Sequence, residues 1–256
     1  MLSPDERERY ARHILLKEIG GPGQQRLKAA TVAIVGAGGL GSPAALYLAA
    51  AGVGRLRLID DDAVSLSNLQ RQVIFRSVDV GVPKVERARA VLAELNAHVG
   101  IETMEQRLTA ENAPYLLQGA DVVLDGTDDF ATRFAVNAAC HENGATLISG
   151  AVGRWSGQVA TFKSGRTKAL PTDQRLPCYR CLVPATPPDA ETCAAVGIVG
   201  ALTGVIGSMT ALEAIKEITE AGESLAGRLL LFDGLAAEAR TVKLPRDPAC
   251  RVCGDV

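Results

Sequence analysis

The stretch that decides the fold is Thr31-Val32-Ala33-Ile34-Val35-Gly36-Ala37-Gly38-Gly39-Leu40-Gly41, followed by an apolar run to Ala51. A β-branched, strand-like run leads into GxGxxG and then into a helix-like run, the setting that raises this motif above chance. Glycines permit a tight turn and let backbone N–H groups reach a phosphate, which the positive end of the helix dipole also attracts. We predict a phosphate-binding turn of Gly36, Gly38, Gly39 and Gly41. The alternative is a turn whose glycines only permit close helix–sheet packing.

Strand-like and helix-like segments alternate along the rest of the chain. Strands are predicted over 31–35, 56–60, 121–125, 145–149 and 158–162, and near 229–233 and 239–244. Helices are predicted over 3–19 (with Ser3 as N-cap), 40–51 and 83–96, and near 130–143 and 208–221. This alternation predicts an α/β fold, a doubly wound, mostly parallel sheet covered on both faces. We expect a nucleotide-binding part over 1–162 that includes the N-terminal helix. Residues 163–256 would then supply a crossover loop, a metal site and the last strands of the same domain, with 163–177 as the most flexible segment.

Composition excludes several classes of protein. With 256 residues, 47% of them apolar, the chain can bury a full core, and 22% charged residues are too few for a disordered chain. A net charge of −2 and 4% aromatic residues argue against a nucleic-acid partner. The first residues, MLSPDERERYARHILL, lack the basic-then-apolar pattern of a signal peptide, so we expect a cytoplasmic protein.

The uncharged run from Cys193 to Leu212 is long enough to cross a membrane. Gly197, Gly200, Gly204 and Gly207 recur within it at helical steps and would form one smooth face, which permits close helix packing. Because the run lacks an aromatic belt and a basic flank, we expect a buried or dimer-interface helix and no membrane contact.

Charged residues after the second strand bear on which nucleotide the turn would bind. Asp60 ends that strand and is placed to accept hydrogen bonds from a ribose. NAD is the default ligand of GxGxxG, but Asn68, Arg71 and Lys84 follow, and NAD needs no further cations. A reaction at phosphorus does need them, because a carboxylate and a polyphosphate repel each other. Ordinary surface charge is the alternative for Arg71 and Lys84.

Several motifs together resemble the MoeB/ThiF/HesA family, relatives of the ubiquitin-activating enzymes. They are GxGGLG, the aspartate at 60, SNLQRQ at 67–72, Pro83-Lys84, Asp125-Gly126-Thr127-Asp128 and two CxxC pairs, so the resemblance covers nearly the whole chain. It implies a Rossmann-like fold and ATP-dependent adenylation of the C-terminal glycine of a ubiquitin-like sulfur carrier, MoaD-like or ThiS-like. The carrier, ending in Gly-Gly, would attack the α-phosphate and release pyrophosphate. A homodimer and a separate sulfur donor are also implied.

The same resemblance assigns roles to individual residues. Gly39 would lie near the phosphates, Asp60 would hold the ribose, and Asp128 would position Mg²⁺. Arg12 would reach across the dimer into the partner's site. The implied ATP-binding set is Gly36, Gly38, Gly39, Gly41, Asp60, Asp62, Ser67, Asn68, Arg71, Lys84, Asp128 and Asp129, and the implied catalytic set is Arg12, Asn68, Arg71, Lys84, Asp128 and Cys193. The family often has Asp-Asn where this chain has Asp128-Asp129, which leaves the role of Asp129 open between binding metal and facing solvent.

The cysteines suggest a metal site. Cys178, Cys181, Cys250 and Cys253 form two CxxC pairs, which suit a closed, tetrahedral and therefore structural Zn²⁺ site. Redox dithiols or disulfides are the alternatives, and both the cytosolic setting and the matching cysteines of the family favour zinc. Cys193 lies after a proline-rich stretch. In some relatives the matching cysteine bonds covalently to the carrier, so a reactive thiol and an inert one both stay open.

Three other functions compete with adenylation of a carrier protein. An NAD(P)-dependent oxidoreductase would leave Asn68, Arg71 and Lys84 without a role. A non-enzymatic, zinc-stabilised binding module would not depend on Arg71. ATP activation of a small-molecule or RNA-borne carboxylate would use the same cations, although the near-neutral charge argues against RNA.

Overall fold

A single eight-stranded sheet organises the chain in the computed structural model, which describes residues 1–188 and 197–255. The strand order is β3-β2-β1-β4-β5-β6-β7-β8. The strands are β1 (Thr31–Val35), β2 (Arg55–Ile59), β3 (Gly100–Met104), β4 (Val122–Asp125), β5 (Thr146–Gly153), β6 (Ser156–Phe162), β7 (Arg228–Asp233) and β8 (Glu238–Lys243).

The predicted doubly wound arrangement is present in the first five strands. They pair in parallel, and the chain runs outward from β1 to β3 before it returns to β4 on the other side of β1. Val35 pairs with Ile59 and with Asp125, so β1, β2 and β4 end at the same edge of the sheet. The crevice outside this edge is where open α/β sheets bind ligands. Strands β5 to β8 pair antiparallel.

Helices cover both faces of the sheet. Val32 and Ile34 of β1 belong to one apolar cluster, and Ala33 and Val35 belong to the other. Successive side chains of a strand point to opposite faces of the sheet, so this division shows that β1 is buried on both faces. The helices are α1 (Pro4–Arg9), α2 (Ala11–Ile14), α3 (Gly20–Ala29), α4 (Gly41–Ala51), α5 (Lys84–Leu95), α6 (Ala113–Leu116), α7 (Phe130–Asn143), α8 (Ser164–Thr167), α9 (Tyr179–Leu182) and α10 (Gly200–Thr219), with 3₁₀ turns at Leu66–Asn68, Ser77–Asp79 and Thr172–Gln174.

The prediction of one helix over 3–19 is wrong in its extent. Ser3 caps α1 as predicted, through a capping box with Glu6, but the helix ends at Arg9. Tyr10 then turns into the core, where its hydroxyl accepts a hydrogen bond of 2.8 Å from the buried Asn96. Burying this aromatic ring decides where the helix ends.

The prediction of four glycines on one helical face is also wrong in part. Gly197 precedes α10, with φ of 73°, and a Cβ at Gly204 would meet no atom within 4 Å. Gly200 and Gly207, two turns apart, do permit close packing, since a Cβ at Gly207 would lie 2.5 Å from the carbonyl oxygen of Leu40. Within the described residues, no helix is long and apolar enough to cross a membrane.

The segment predicted to be flexible, 163–177, is anchored to the body of the fold. It contains α8 and a 3₁₀ turn. Arg166 donates to the carbonyl oxygens of Gly144 and Asp121, and Lys168 donates to that of Glu142, at 3.0–3.2 Å. These basic side chains thus satisfy two carbonyl groups at the C-terminal end of α7 and one just before β4, which a polar composition alone does not reveal.

Candidate active site

A cavity of about 410 Å³ opens at the edge where β1, β2 and β4 end. This volume is in the range of pockets that hold small ligands. Predicted site residues from three separate parts of the chain meet in its wall: Gly36, Gly38, Gly39, Asp60, Asp62, Asn68, Arg71, Lys84, Asp128 and Asp129.

The glycines of the first turn divide into two kinds. Gly36 has φ of 89°, a conformation that favours glycine, and its N–H donates to Ile59 at 2.9 Å. A Cβ at Gly41 would lie 1.9 Å from the carbonyl oxygen of Gly36, so no side chain fits between the turn and α4. Gly41 is absent from the cavity wall, whereas Gly38 and Gly39 line it. The packing alternative therefore describes Gly41. Gly38 has room for a Cβ and lies in the open part of the turn, whereas Gly39 lines the cavity and also packs against Thr203, 3.1 Å from where its Cβ would lie.

Asp60 lies beside this turn as part of a charged group with Lys84 and Asp62. Its carboxylate accepts hydrogen bonds from the backbone N–H groups of Ala37, at 2.7 Å, and of Asp62, at 2.9 Å. The Lys84 Nζ lies 2.6 Å from an oxygen of Asp62 and 4.0 Å from one of Asp60. Burial raises the pKa of Asp60 above its usual value, although the Lys84 ammonium opposes this shift. The arrangement fixes a carboxylate, with both oxygens oriented, at the end of β2.

The SNLQRQ segment forms a short 3₁₀ turn against the same cavity. Asn68 caps that turn by accepting a hydrogen bond of 3.2 Å from the backbone N–H of Ser65. Arg71 donates to the carbonyl oxygen of Ser67 at 3.1 Å. Ser67 itself is exposed, contacts the hydroxyl of Ser65, and is not among the described residues that line the cavity. The turn thus presents Asn68 and Arg71 to the cavity and leaves Ser67 outside.

A buried ion pair supports the loop that carries Asp128. Asp125, at the end of β4, accepts hydrogen bonds from both the N–H and the hydroxyl of Thr127, at 3.1 and 2.7 Å. The guanidinium of Arg133 lies 3.5 Å from Asp125 and also donates to the carbonyl oxygens of Thr127 and Gly150. These bonds hold the loop rigid, and Asp128 at its tip is exposed to the cavity.

Asp129 has a role that neither sequence alternative named: it is the N-cap of α7. Its carboxylate accepts hydrogen bonds from the N–H and the hydroxyl of Thr132, at 2.9 and 2.7 Å. Burial alone would raise the pKa of Asp129, but the bonds from Thr132 outweigh it and hold that pKa below its usual value. Asparagine caps helices equally well, so this position would serve as N-cap with either residue.

Two predicted catalytic residues are not placed in the cavity. Arg12 is exposed on α2 and is absent from the cavity wall among the described residues. Cys193 lies outside the described residues.

Other residues of the wall were missed by the sequence analysis. Gln106 and Arg107 follow β3, a strand that was not predicted, and Thr203 and Tyr179 come from α10 and α9. These four have no local signal because only the fold brings their helices and loops to the cavity. Gln72 is different, since it stands inside the SNLQRQ motif.

The four paired cysteines form a cluster, and none of them is among the described residues that line the cavity, although Tyr179, which lies between Cys178 and Cys181, is. Their sulfur atoms all lie within 4.8 Å of one another, with Cys178 3.6 Å from Cys250 and Cys181 3.4 Å from Cys253. A tetrahedral Zn²⁺ with bonds of about 2.3 Å spaces its sulfurs by about 3.8 Å, so this set fits the ion. The sulfurs are close enough to share protons: hydrogen bonds within the cluster lower the pKa of Cys181 and raise that of Cys178.

A second cavity of about 700 Å³ adjoins the first, and both are lined by Ala151, Val152 and Gln158. It continues past Gly153 and Gly157 to the ends of β7 and β8. A Cβ at Gly157 would lie 2.4 Å from the side chain of Ile206, so glycine is needed for the close packing here. The second cavity, called the glycine-lined groove below, thus starts at wall residues of the first cavity and extends to the antiparallel part of the sheet.

Comparisons with known proteins by family model and by sequence agree with each other. The model of the ThiF family matches residues 10–252. The chain is 45% identical to the sulfur carrier protein adenylyltransferase of Thermus thermophilus and 43% identical to the molybdopterin-synthase adenylyltransferase of Salmonella typhimurium. These matches cover 98% and 99% of the chain and 92% and 98% of those proteins.

A longer relative and a solved structure extend this comparison. The chain is 47% identical, over 99% of its residues, to the adenylyltransferase and sulfurtransferase MOCS3 of Anopheles gambiae, but spans only 56% of that protein. The crystal structure of E. coli MccB with MccA-N7isoASN has a TM-score of 0.83, covering 96% of this chain and 75% of MccB. At 23% identity, that similarity concerns the fold alone.

Proposed function

The chain belongs to the ThiF family, and we propose that it adenylates the C-terminal glycine of a small ubiquitin-like sulfur-carrier protein. The carrier carboxylate attacks the α-phosphorus of ATP, the bond to the leaving pyrophosphate breaks, and the carrier ends as an acyl-adenylate. The observation that carries this proposal is the meeting of Arg71 and Lys84 with the glycine turn and Asp60 in one cavity. Such a reaction depends mainly on positioning and charge stabilisation.

Each part of the cavity supports one part of this reaction. The N–H groups beside Gly38 and Gly39 approach the phosphates, and Asp60 accepts hydrogen bonds from the ribose. Arg71, Asn68 and Lys84 reduce the repulsion between the incoming carboxylate and the phosphate chain. The glycine-lined groove past Gly157 has room for an extended Gly-Gly tail.

Two metal ions belong to the proposal. Mg²⁺ would be held by Asp128, whose carboxylate is exposed to the cavity, and would supply positive charge to the phosphates. Zn²⁺ would be held by the four paired cysteines and would connect the C-terminal residues to α9. With four protein ligands that zinc has no open position, so its role is structural.

The partners and the setting remain part of the proposal. We expect a homodimer in which Arg12 of one subunit serves the other subunit's cavity, because Arg12 is exposed outside its own cavity. The sulfur donor would be a separate protein, and reduced thiols suit a cytoplasmic location. One shorter relative is named for molybdopterin synthase and the other only for a sulfur carrier protein, so MoaD-like and ThiS-like carriers are both candidates.

The other functions explain less of the same geometry. An NAD(P)-dependent oxidoreductase has no use for Arg71 and Lys84, which line the cavity together. A binding module that is not an enzyme would need no converging cations at a phosphate-sized turn.

Exchange of labelled pyrophosphate into ATP tests the proposal, with each Gly-Gly carrier of the source organism tried in turn. We expect exchange that depends on one carrier and on Mg²⁺, and that falls at least 100-fold in Arg71→Ala. Arg89→Ala is the matched control, because Arg89 is exposed on α5, pairs with Glu86, and is not among the described residues that line the cavity. Lack of exchange with every carrier, or normal exchange in Arg71→Ala, would contradict the proposal.

Subunit mixing tests the role of Arg12. Arg12→Ala and Arg71→Ala homodimers should each be inactive. Equal mixing with subunit exchange should restore about a quarter of the wild-type rate, because half of the dimers are mixed and each contains one complete site. No recovery in dimers shown to have exchanged subunits would mean that Arg12 acts in its own subunit or has no role.

A further inference from the structure

Tyr179 belongs to two parts of the molecule that the proposed function treats separately. It stands between Cys178 and Cys181 of the cysteine cluster, directly after the fully buried Cys178. Its side chain is only 3% exposed, and it lines the cavity together with Arg133. None of the four cysteines is among the described residues that line the cavity, so Tyr179 joins their cluster to the cavity wall.

The helix that carries Tyr179 is held in place by other elements. With four residues and no side-chain cap, α9 is too short to be stable by itself. The backbone N–H of Tyr179 donates a hydrogen bond of 2.7 Å to the side-chain oxygen of the buried Asn137 on α7. Its ring packs edge-on against Phe162 of β6, with 5.9 Å between the ring centroids, and it also contacts Phe134 of α7. The docked position of α9 therefore depends on these contacts and on the cysteines that flank Tyr179.

Arg133 lies between the Tyr179 ring and the loop that carries Asp128. Its guanidinium carbon lies 5.9 Å from the centre of the Tyr179 ring, within the range of a cation–π contact. Its N–H groups donate to the carbonyl oxygens of Thr127 and Gly150. Because Arg133 is only 6% exposed, little water is available to replace a lost contact. A shift of the ring therefore disturbs the group that holds the carbonyl oxygen of Thr127, one residue before Asp128.

These contacts form one chain from the cysteines to the cavity. Arg133 and Asn137 are one turn apart on α7, so both contacts with Tyr179 come from one face of that helix. The same helix begins directly after the loop that carries Asp128. Core packing alone explains the contact between Tyr179 and Phe162. It does not explain why the same ring supports a buried guanidinium that holds a loop of the cavity.

We propose that Tyr179 is a positioning residue through which metal binding at the cysteine cluster strengthens the binding of ATP with Mg²⁺. The identities of the ligands, Zn²⁺ and ATP, rest on the proposed function. With the cysteines filled, α9 stays docked on α7, the ring supports Arg133, and Arg133 holds the loop so that Asp128 faces the cavity. With the cysteines empty, α9 is released and the loop loses this support. Such a coupling is reciprocal, so ATP strengthens zinc binding by the same factor.

Three variants separate this role from simple packing. Tyr179→Leu removes the ring and keeps all four cysteines, whereas Tyr179→Phe keeps the ring contacts. Phe162→Leu is the matched control, because it removes the other ring of the edge-on pair. Phe162 is similarly buried and is not among the described residues that line the cavity. Zinc content and thermal unfolding show whether each variant folds and holds the metal.

The main measurement is the affinity for ATP with Mg²⁺, by calorimetry on the full chain, before and after a zinc-selective chelator removes the zinc. Wild type should bind ATP at least fivefold more weakly without zinc, and its affinity for adenosine, which has no phosphate, should stay within twofold. Tyr179→Leu should bind ATP at least fivefold more weakly even with zinc bound, and removing the zinc should change that affinity less than twofold. Tyr179→Phe and Phe162→Leu should behave like wild type.

Zinc retention is a second readout, and it does not involve activity. In competition with the chelator, wild type should hold zinc at least fivefold more tightly when ATP and Mg²⁺ are present. Tyr179→Leu should hold zinc equally well with and without ATP. An absence of any effect of ATP in the wild type would show that the cluster only stabilises the C-terminal residues, and would overturn the proposal.

Other failures of the experiment have separate meanings. The role of Tyr179 would be overturned, and the proposed function left standing, if the affinity of wild type for ATP did not depend on zinc. The same holds if the zinc dependence persisted in Tyr179→Leu, if adenosine and ATP were affected equally, or if either Tyr179→Phe or Phe162→Leu lost as much as Tyr179→Leu. Failure of the wild type to bind ATP or zinc would contradict the proposed function itself, and this inference with it.

Two further arms apply if a protein fails to fold. If the zinc-free wild type unfolds, zinc-loaded Tyr179→Leu decides: wild-type affinity for ATP overturns the proposal, and a loss confined to ATP supports it. If Tyr179→Leu does not fold or does not hold zinc, Arg133→Lys replaces it, because lysine lacks the forked guanidinium that bonds both Thr127 and Gly150. Persistence of the zinc dependence in Arg133→Lys overturns the proposal, and its loss supports it.

Discussion

Substituting two glycines of the same turn by alanine should have very different effects on stability. A Cβ at Gly41 would lie 1.9 Å from the carbonyl oxygen of Gly36 and 3.2 Å from the side chain of Ile34. Because carbon and oxygen atoms in contact are about 3.4 Å apart, α4 would have to move by about 1.5 Å. That helix packs on the sheet through the buried Ala44 and Leu48, so its displacement disturbs the core. Overpacking of this kind costs about 3 kcal/mol, roughly 6–12 °C in melting temperature.

Gly38 provides the contrast within the same motif. A Cβ there would meet a single atom, the Gln72 Nε2, at the ordinary contact distance of 3.5 Å, and its φ lies outside the range that favours glycine. Gly38→Ala should therefore be neutral or up to about 1 kcal/mol more stable. Urea unfolding of both variants measures the free energy of unfolding. This account of the turn would be refuted if the free energy of unfolding of Gly41→Ala lay within about 1 kcal/mol of the wild-type value. It would also be refuted if Gly38→Ala were as destabilised as Gly41→Ala.

Three further perturbations test other parts of the structure. Lys84→Met should lower the rate of pyrophosphate exchange at least 100-fold. It removes the ammonium group that lies 2.6 Å from Asp62, and it leaves the buried Asp60 carboxylate without a nearby positive charge. A near-normal rate of exchange would contradict this. Glu6→Gln should lower the free energy of unfolding by about 1 kcal/mol at pH 6. The reason is that a hydrogen bond from the half-exposed Lys28 lowers the pKa of Glu6 from 4.5 to about 2. That difference in unfolding free energy should shrink below pH 4.5 and vanish near pH 2, and a pH-independent difference would exclude this cause. Chelating the zinc that we propose at the cysteine cluster should raise hydrogen exchange there and leave the sheet protected. Global unfolding would instead show that the two apolar clusters depend on the metal.

The sequence predicted the part of the fold that depends on local pattern. TVAIV is a buried strand, and the glycine turn and the acidic end of the next strand lie together at the sheet edge, because parallel strands begin and end in register. The strand Gly100–Met104 was missed because its residues are only partly buried and include Gly100 and Glu102, which weaken the strand signal.

The parts that failed depend on contacts between distant residues. Tyr10 ends α1 by entering the core beside Asn96, a residue 86 positions away, and no pattern around Tyr10 shows that partner. Ser67 and Gly41 belong to motifs but are not among the described residues that line the cavity. A motif shows which residue stands at a position, whereas the geometry of the turn decides whether that residue faces the cavity.

The most direct measurement follows the label from ATP into the carrier protein. With ATP labelled in the α-phosphate, wild-type protein, Mg²⁺ and the matching Gly-Gly carrier should give a labelled carrier, and ATP labelled in the γ-phosphate should leave the carrier unlabelled. Label from the γ-phosphate in the carrier, or none from either position while ATP is bound, would contradict attack at the α-phosphorus.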